Sequence, residues 1–361
     1  MKSLIVLSSL ALALIGCSKG SGGGGYSPSP GPTPTPVAAA QFAYVLNTGD
    51  NSISSFAIGA DGNLISFAVD VATGDFPKSM VMDKVRDVLY VGNLGSGSIS
   101  QYKINSDGSL TGLGEIATGG MAENLVISPD HRFVYSMPGA DDTINQFAIG
   151  DDGVLTHVAD VPAVAGATGM AFSSDGVFAY IISLDITEIS QFAMNGDGSL
   201  TSLSPRTVAS SGCPEGPVAT RKAANGTDNV YVLSCSTDEV EVFKVNPGGQ
   251  LSSQQVVKTG ILPVAMSFAG SSLYVVNIGD SNVSMFSVLN DGKLAALPQP
   301  TVRAGVQPES LAVDSVGNVA YVLDFVDDKI LPYSVNPSRE LVPASLTPTS
   351  SKVMPSRILL K

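Results

Sequence analysis

Several things are scarce in this 361-residue chain, and each scarcity excludes a class of function. There is no tryptophan, and there are only two histidines, His131 and His157, and three cysteines. With so little histidine, a Ser-His-Asp arrangement lacks its usual base and a zinc site lacks support, so neither metal nor cofactor is expected. Charged residues are 14% of the chain, and basic ones are the scarcer sort, 19 against 32 acidic, for a net charge of −13. A nucleic-acid surface needs a basic stripe, so nucleic acid is excluded as the main partner. A hydrophobic content of 44% is too high for a chain disordered throughout. The N-terminal apolar run, Leu4–Ile15, has only 12 residues, whereas a membrane-spanning helix needs roughly 20.

Lys2 gives that run a basic start, so it reads as the h-region of an export signal. It ends at Leu14-Ile15-Gly16-Cys17, which resembles the lipobox of bacterial lipoproteins. The resemblance implies a signal peptide over residues 1–16 and a lipid on the Cys17 sulfur that tethers the protein to a membrane in the cell envelope. Ser18 beside the cysteine implies, by the enterobacterial sorting pattern, the outer membrane, on its periplasmic or surface face. Residues 17–40 then form a Gly/Ser/Pro-rich tether, flexible in its glycine part and extended in its proline part. The run Gly22–Gly25 is no phosphate loop, because no Lys-Ser/Thr follows and no strand or helix flanks it.

From residue 41 the chain repeats. Tyr44, Tyr90, Tyr135, Tyr180, Tyr231, Tyr274 and Tyr321 recur at intervals of 43 to 51 residues. Each is followed 12 residues later by an aromatic, from Phe56 to Tyr333, and after 8 more by a leucine, from Leu64 to Leu341. Periods of this length signal a repeat architecture. Within each unit, a β-branched and aromatic strand carries the tyrosine, an alternating strand carries the second aromatic, and a third starts at the leucine. Asp-Gly pairs such as Asp61-Gly62 and Asp107-Gly108 predict tight hairpins in which both residues tolerate positive φ. These turns lack the further carboxylates of a calcium loop.

A fourth strand precedes each tyrosine except the first, which has only the tether upstream. The chain end supplies the missing one, because Pro355–Lys361 matches Pro308–Asp314. The expected fold is therefore all-β: a seven-bladed β-propeller over residues 41–361, with four-stranded antiparallel blades. The C-terminal strand closes the ring on the N-terminal blade, which removes open edges.

The YVLN and YVGN strands resemble the YVTN-repeat, lactonase-like propellers, a superfamily that includes 6-phosphogluconolactonases and cycloisomerases. The resemblance implies a site where the innermost strands begin, at one mouth of the central channel, with a Pro-Arg-His pattern there. No copy here has the arginine–histidine pair. The aligned triplets instead bring Lys78, Glu123, Glu215, Glu309 and Arg357 to that mouth, and the strand ends Asn47, Asn93, Asn277 and Asp324 ring the same face. Two carboxylates could divide acid and base roles, which makes Glu215 and Glu309 the catalytic candidates. Lys78 and Arg357 could hold an anion, with Glu123 and the four strand-end residues completing a ligand-binding set. Cys213 and Cys235 flank the longer hairpin of the fifth unit at the same mouth, and an exported chain favours a disulfide between them.

The leading expectation is a monomeric, envelope-anchored binding or interaction module, whose ligand is an envelope protein, a glycan or a small anion. The alternative is an enzyme, a lactonase resembling 6-phosphogluconolactonase or a cycloisomerase, acting on a small anionic lactone at the channel mouth.

Overall fold

A computed structural model describes residues 41–67, 69–137, 143–162, 166–183, 187–212, 217–314 and 318–361. The signal peptide, Cys17, the tether, Cys213 and Glu215 lie outside these residues. Seven antiparallel sheets follow one another as propeller blades. Blade two shows the pattern, with its inner strand Pro77–Asp83 followed outward by Val88–Asn93, Ser98–Ile104 and Leu110–Ala117. Blade one takes its inner strand from the chain end: Pro355–Leu360 pairs antiparallel with Gln41–Asn47, with Tyr44 opposite Leu359 and Leu46 opposite Arg357.

The tyrosine-bearing strands are apolar at nearly every position because each is covered on both faces. Successive side chains of a strand point to opposite faces. Tyr44 and Leu46 enter the core shared with blade two, while Ala43 and Val45 enter the core shared with blade seven. Seven such clusters form, each between two neighbouring blades.

The repeated tyrosine is also a latch. Each hydroxyl donates to a turn carbonyl of the next blade: Tyr44 to Gly108 at 2.8 Å, Tyr90 to Gly153 at 2.7 Å and Tyr135 to Gly198 at 2.7 Å. Tyr180, Tyr231 and Tyr274 bond Gly249, Gly292 and Arg339 in the same way. Tyr321 reaches Gly62 of blade one and completes the circle. Burial pushes these phenols above their ordinary pKa, so they remain donors. Removing one hydroxyl strands a buried carbonyl, which costs about 1–3 kcal/mol. Tyr90→Phe should therefore lower stability by that amount in a urea melt. A loss under about 0.5 kcal/mol would mean that water takes over the carbonyl.

The hairpins differ from expectation in one respect. Only the glycine takes positive φ, at 83° for Gly62 and Gly108 and 82° for Gly153, while the preceding aspartates do not. Gly62 N bonds Gly59 O and Gly59 N bonds Asn63 O, so the four-residue turn 59–62 ends on its one left-handed residue, Gly62. The aspartate instead caps the backbone two residues on: Asp61 Oδ1 accepts from Asn63 N at 3.0 Å and Asp107 Oδ1 from Ser109 N at 3.0 Å.

Candidate functional site

The inner strands begin at the channel mouth, and several begin with an irregularity. In blade two, Pro77 pairs with Asn93 and Ser79 with Gly92, which leaves Lys78 as an extra residue. In blade seven, Pro308 pairs with Asp324 and Ser310 with Leu323, which leaves Glu309 extra. Such a bulge re-aims its side chain out of the pleat. In blade one the extra residue is Ser356, and the charge comes one residue later, at Arg357. These three inner strands are neighbours around the ring.

Together they surround a cavity of about 80 Å³. Lys78, Glu309 and Arg357 supply its charges, Thr48 and Ser356 its hydroxyls, and Phe76, Phe325 and Met354 its apolar wall. The three charged residues are half-buried. Among the described residues, neither Lys78 nor Glu309 has an ion pair or a side-chain hydrogen bond, and Arg357 bonds only the Ser356 carbonyl, at 3.2 Å. Burial pushes the Glu309 carboxyl above its ordinary pKa, against the opposing pull of Lys78 and Arg357. Burial likewise pulls the Arg357 guanidinium down, with Glu309 opposing. The Thr48 hydroxyl donates to Pro77 O at 2.7 Å, so Ser356 Oγ, 2.7 Å away, is the donor between the two hydroxyls.

Three predicted site residues thus meet in one sector of the mouth. Glu123 also starts an inner strand region but does not line this cavity, and Glu215 lies outside the described residues. The four strand-end residues have other tasks. Asn47, Asn93 and Asn277 are fully buried, and their amides bond Ser54, Ser100 and Ser284 of the adjacent strand, each at 2.9 Å. Asp324 is buried too, and its carboxylate accepts from Val306 N at 3.0 Å and Gln307 N at 3.4 Å. It fixes the segment that leads into Glu309 and so positions that residue without facing the cavity. Cys235 follows the strand Asp228–Ser234, and its Sγ lies 3.4 Å from Pro263 O, where an inner strand begins.

The histidines sit elsewhere. His131 contacts Asp83, at the far end of the blade-two inner strand from Lys78, with Nδ1 2.9 Å from Oδ1. Burial raises the Asp83 pKa, but bonds from Arg86 and Val85 and the charge of His131 outweigh it and hold the carboxyl low. His157 lies on the outer strand Leu155–Pro162, 2.9 Å from Asp160. Among the described residues, no group of three His, Cys, Asp or Glu side chains is placed to hold a metal.

The sequence matches the family described as lactonase, 7-bladed beta-propeller, over residues 35–126 and 122–306. No curated protein matches it in sequence. Among solved structures, a candidate 6-phosphogluconolactonase from Bacteroides fragilis superposes with a TM-score of 0.78 at 17% identity, covering 91% of this chain and 100% of that one. The periplasmic gluconolactonase of Pseudomonas aeruginosa gives 0.77 at 18% identity, covering 89% and 98%. At such identities the likeness speaks for the fold.

Proposed function

Because the chain belongs to the lactonase family of seven-bladed β-propellers, we propose that its mouth cavity hydrolyses small anionic lactones. One observation carries this reading: Lys78 and Glu309 face a shared cavity with Arg357, half-buried and without partners among the described residues. A buried charge without a partner is costly, and a ligand that supplies the missing contacts offsets that cost.

The chemistry follows from the charges. A water beside Glu309 attacks the lactone carbonyl carbon while the carboxylate takes its proton. Negative charge moves to the carbonyl oxygen, where a guanidinium or ammonium stabilises it more than in the ground state. The ring C–O bond then breaks, and the departing oxygen takes the proton back from Glu309. The product is a hydroxy acid, which releases one proton to solvent. The cation not engaged by the oxyanion holds the substrate's anionic group. A raised pKa suits Glu309 to this exchange, because a base works best near the operating pH.

The test is a pH-stat screen of sugar, aliphatic and aryl lactones with and without an anionic group. The expected result is turnover of anionic members that Glu309→Gln abolishes. If ligands bind but nothing turns over, the site is a binding module, the role the sequence first suggested.

The envelope location belongs to the same proposal. It is supported by the lipobox-like Leu14–Cys17 run and by an apolar segment too short to span a bilayer. The exported site would carry a lipid on Cys17 and a bridge between Cys213 and Cys235. Intact mass of protein extracted from bacterial membranes without reductant checks both at once. It should show an acylated chain beginning at Cys17 and two hydrogens fewer than the dithiol. A full-length unmodified chain, or complete alkylation of Cys213 and Cys235 without reductant, would overturn these two points.

A further inference from the structure

The make-up of the cavity narrows the substrate class. A sugar lactone carries several hydroxyls, and each needs a hydrogen-bond partner once it leaves water. The protons of the cavity's two side-chain hydroxyls are already committed, Thr48 to Pro77 O and Ser356 to Thr48, which leaves these groups only as acceptors. The remaining wall is apolar: Phe76, Phe325 and Met354.

This apolar wall is held in place. Phe76 and Met354 each precede the proline that opens an inner strand, and both have positive φ, 50° and 57°. A bulky residue in that region is strained. Neighbouring side chains hold it there, since Asn51 Oδ1 accepts from Phe76 N and Asp328 Oδ1 from Met354 N, each at 2.9 Å. Phe76 lines the cavity yet stays 48% exposed. Part of this apolar wall is therefore open to solvent.

We infer that the ligand of this site is amphiphilic: one singly charged anionic group at one of the two cations, Lys78 or Arg357, and an alkyl or aryl substituent lying against Phe76, Phe325 and Met354. Phe76 is then a specificity-determining residue. The inference rests on the lactonase reading for its chemistry, but its test needs no turnover.

Calorimetric titration with 4-phenylbutanoate, butanoate and gluconate 6-phosphate compares three anions that have no lactone ring to open. Covering a phenyl ring should make 4-phenylbutanoate bind roughly tenfold tighter than butanoate. Phe76→Ala should bring the two within about twofold, by weakening 4-phenylbutanoate more than the shorter butanoate, and Phe325→Ser should act in the same direction. Thermal melts of both variants confirm folding, and the ranking in the unmodified protein stands without either. Tighter binding of gluconate 6-phosphate, equal affinities for the two carboxylates, or no binding at all overturns the inference. The two readings fail separately: no lactone turnover with the ranking intact removes the enzyme and leaves the amphiphilic site. Turnover of sugar lactones alone does the reverse.

Discussion

Removal of residues 356–361 should lower the melting temperature by at least about 10 °C or leave the chain insoluble. This stretch is most of the inner strand of blade one. Without it, Ala43, Tyr44, Val45 and Leu46 lose their ladder partners, and the blade exposes a long apolar edge. Its side chains are shared around the ring: Ile358 packs with Val45, Tyr321 and Leu323, whereas Leu359 packs against the cluster of Tyr44 and Met80. Each large aliphatic lost from such a core costs about 2–5 kcal/mol. Ile358, Leu359 and Leu360 together then represent on the order of 5–10 kcal/mol, comparable with the whole stability of a typical domain. Arg357→Gln is the control, since it keeps the strand while removing the charge, and it should melt close to the unmodified protein. An unchanged melt after truncation would mean that the ring does not depend on its closure.

The architecture was legible in the sequence because a propeller repeats its constraints. Tyr44 and its six counterparts mark strands buried on both faces, and those positions tolerate little variation in size or polarity. The closing strand was legible by subtraction, since blade one had no inner strand upstream. Lys78, Glu309 and Arg357 were legible as charges at equivalent strand starts. What the sequence hid were relations between strands and between blades. The carbonyl that a tyrosine latches lies 61 to 69 residues away, or 259 for Tyr321, and is backbone, so no side-chain pattern reports it. The strand-end asparagines look like mouth residues, yet neighbouring strands supply serines that draw them inward. Phe76 and Met354 precede the triplets read for charge, and their role depends on a positive φ that Asn51 and Asp328 impose.

Glu309→Gln should do two opposite things. Glutamine keeps the shape of the side chain but cannot accept a proton, so lactone turnover should fall by roughly 10²–10⁴-fold. In the unmodified protein the rate should rise with pH through the Glu309 pKa, which burial places above the ordinary value of about 4.3. The same shift fixes the effect on stability. A carboxyl whose pKa is higher folded than unfolded stabilises the fold while protonated, below the unfolded pKa, and loses that contribution as pH rises through the folded pKa. At pH 7 the folded protein therefore bears the cost of a half-buried carboxylate, and glutamine removes it. The variant should melt on the order of 2 °C higher at pH 7 and no higher at pH 4. Calorimetric scans at both pH values, beside a pH–rate profile, read both effects. Loss of activity with a gain in stability confined to the higher pH is what a charge kept for chemistry produces. Activity within about threefold of the unmodified protein, or a gain in melting temperature equal at both pH values, would remove Glu309 as the base.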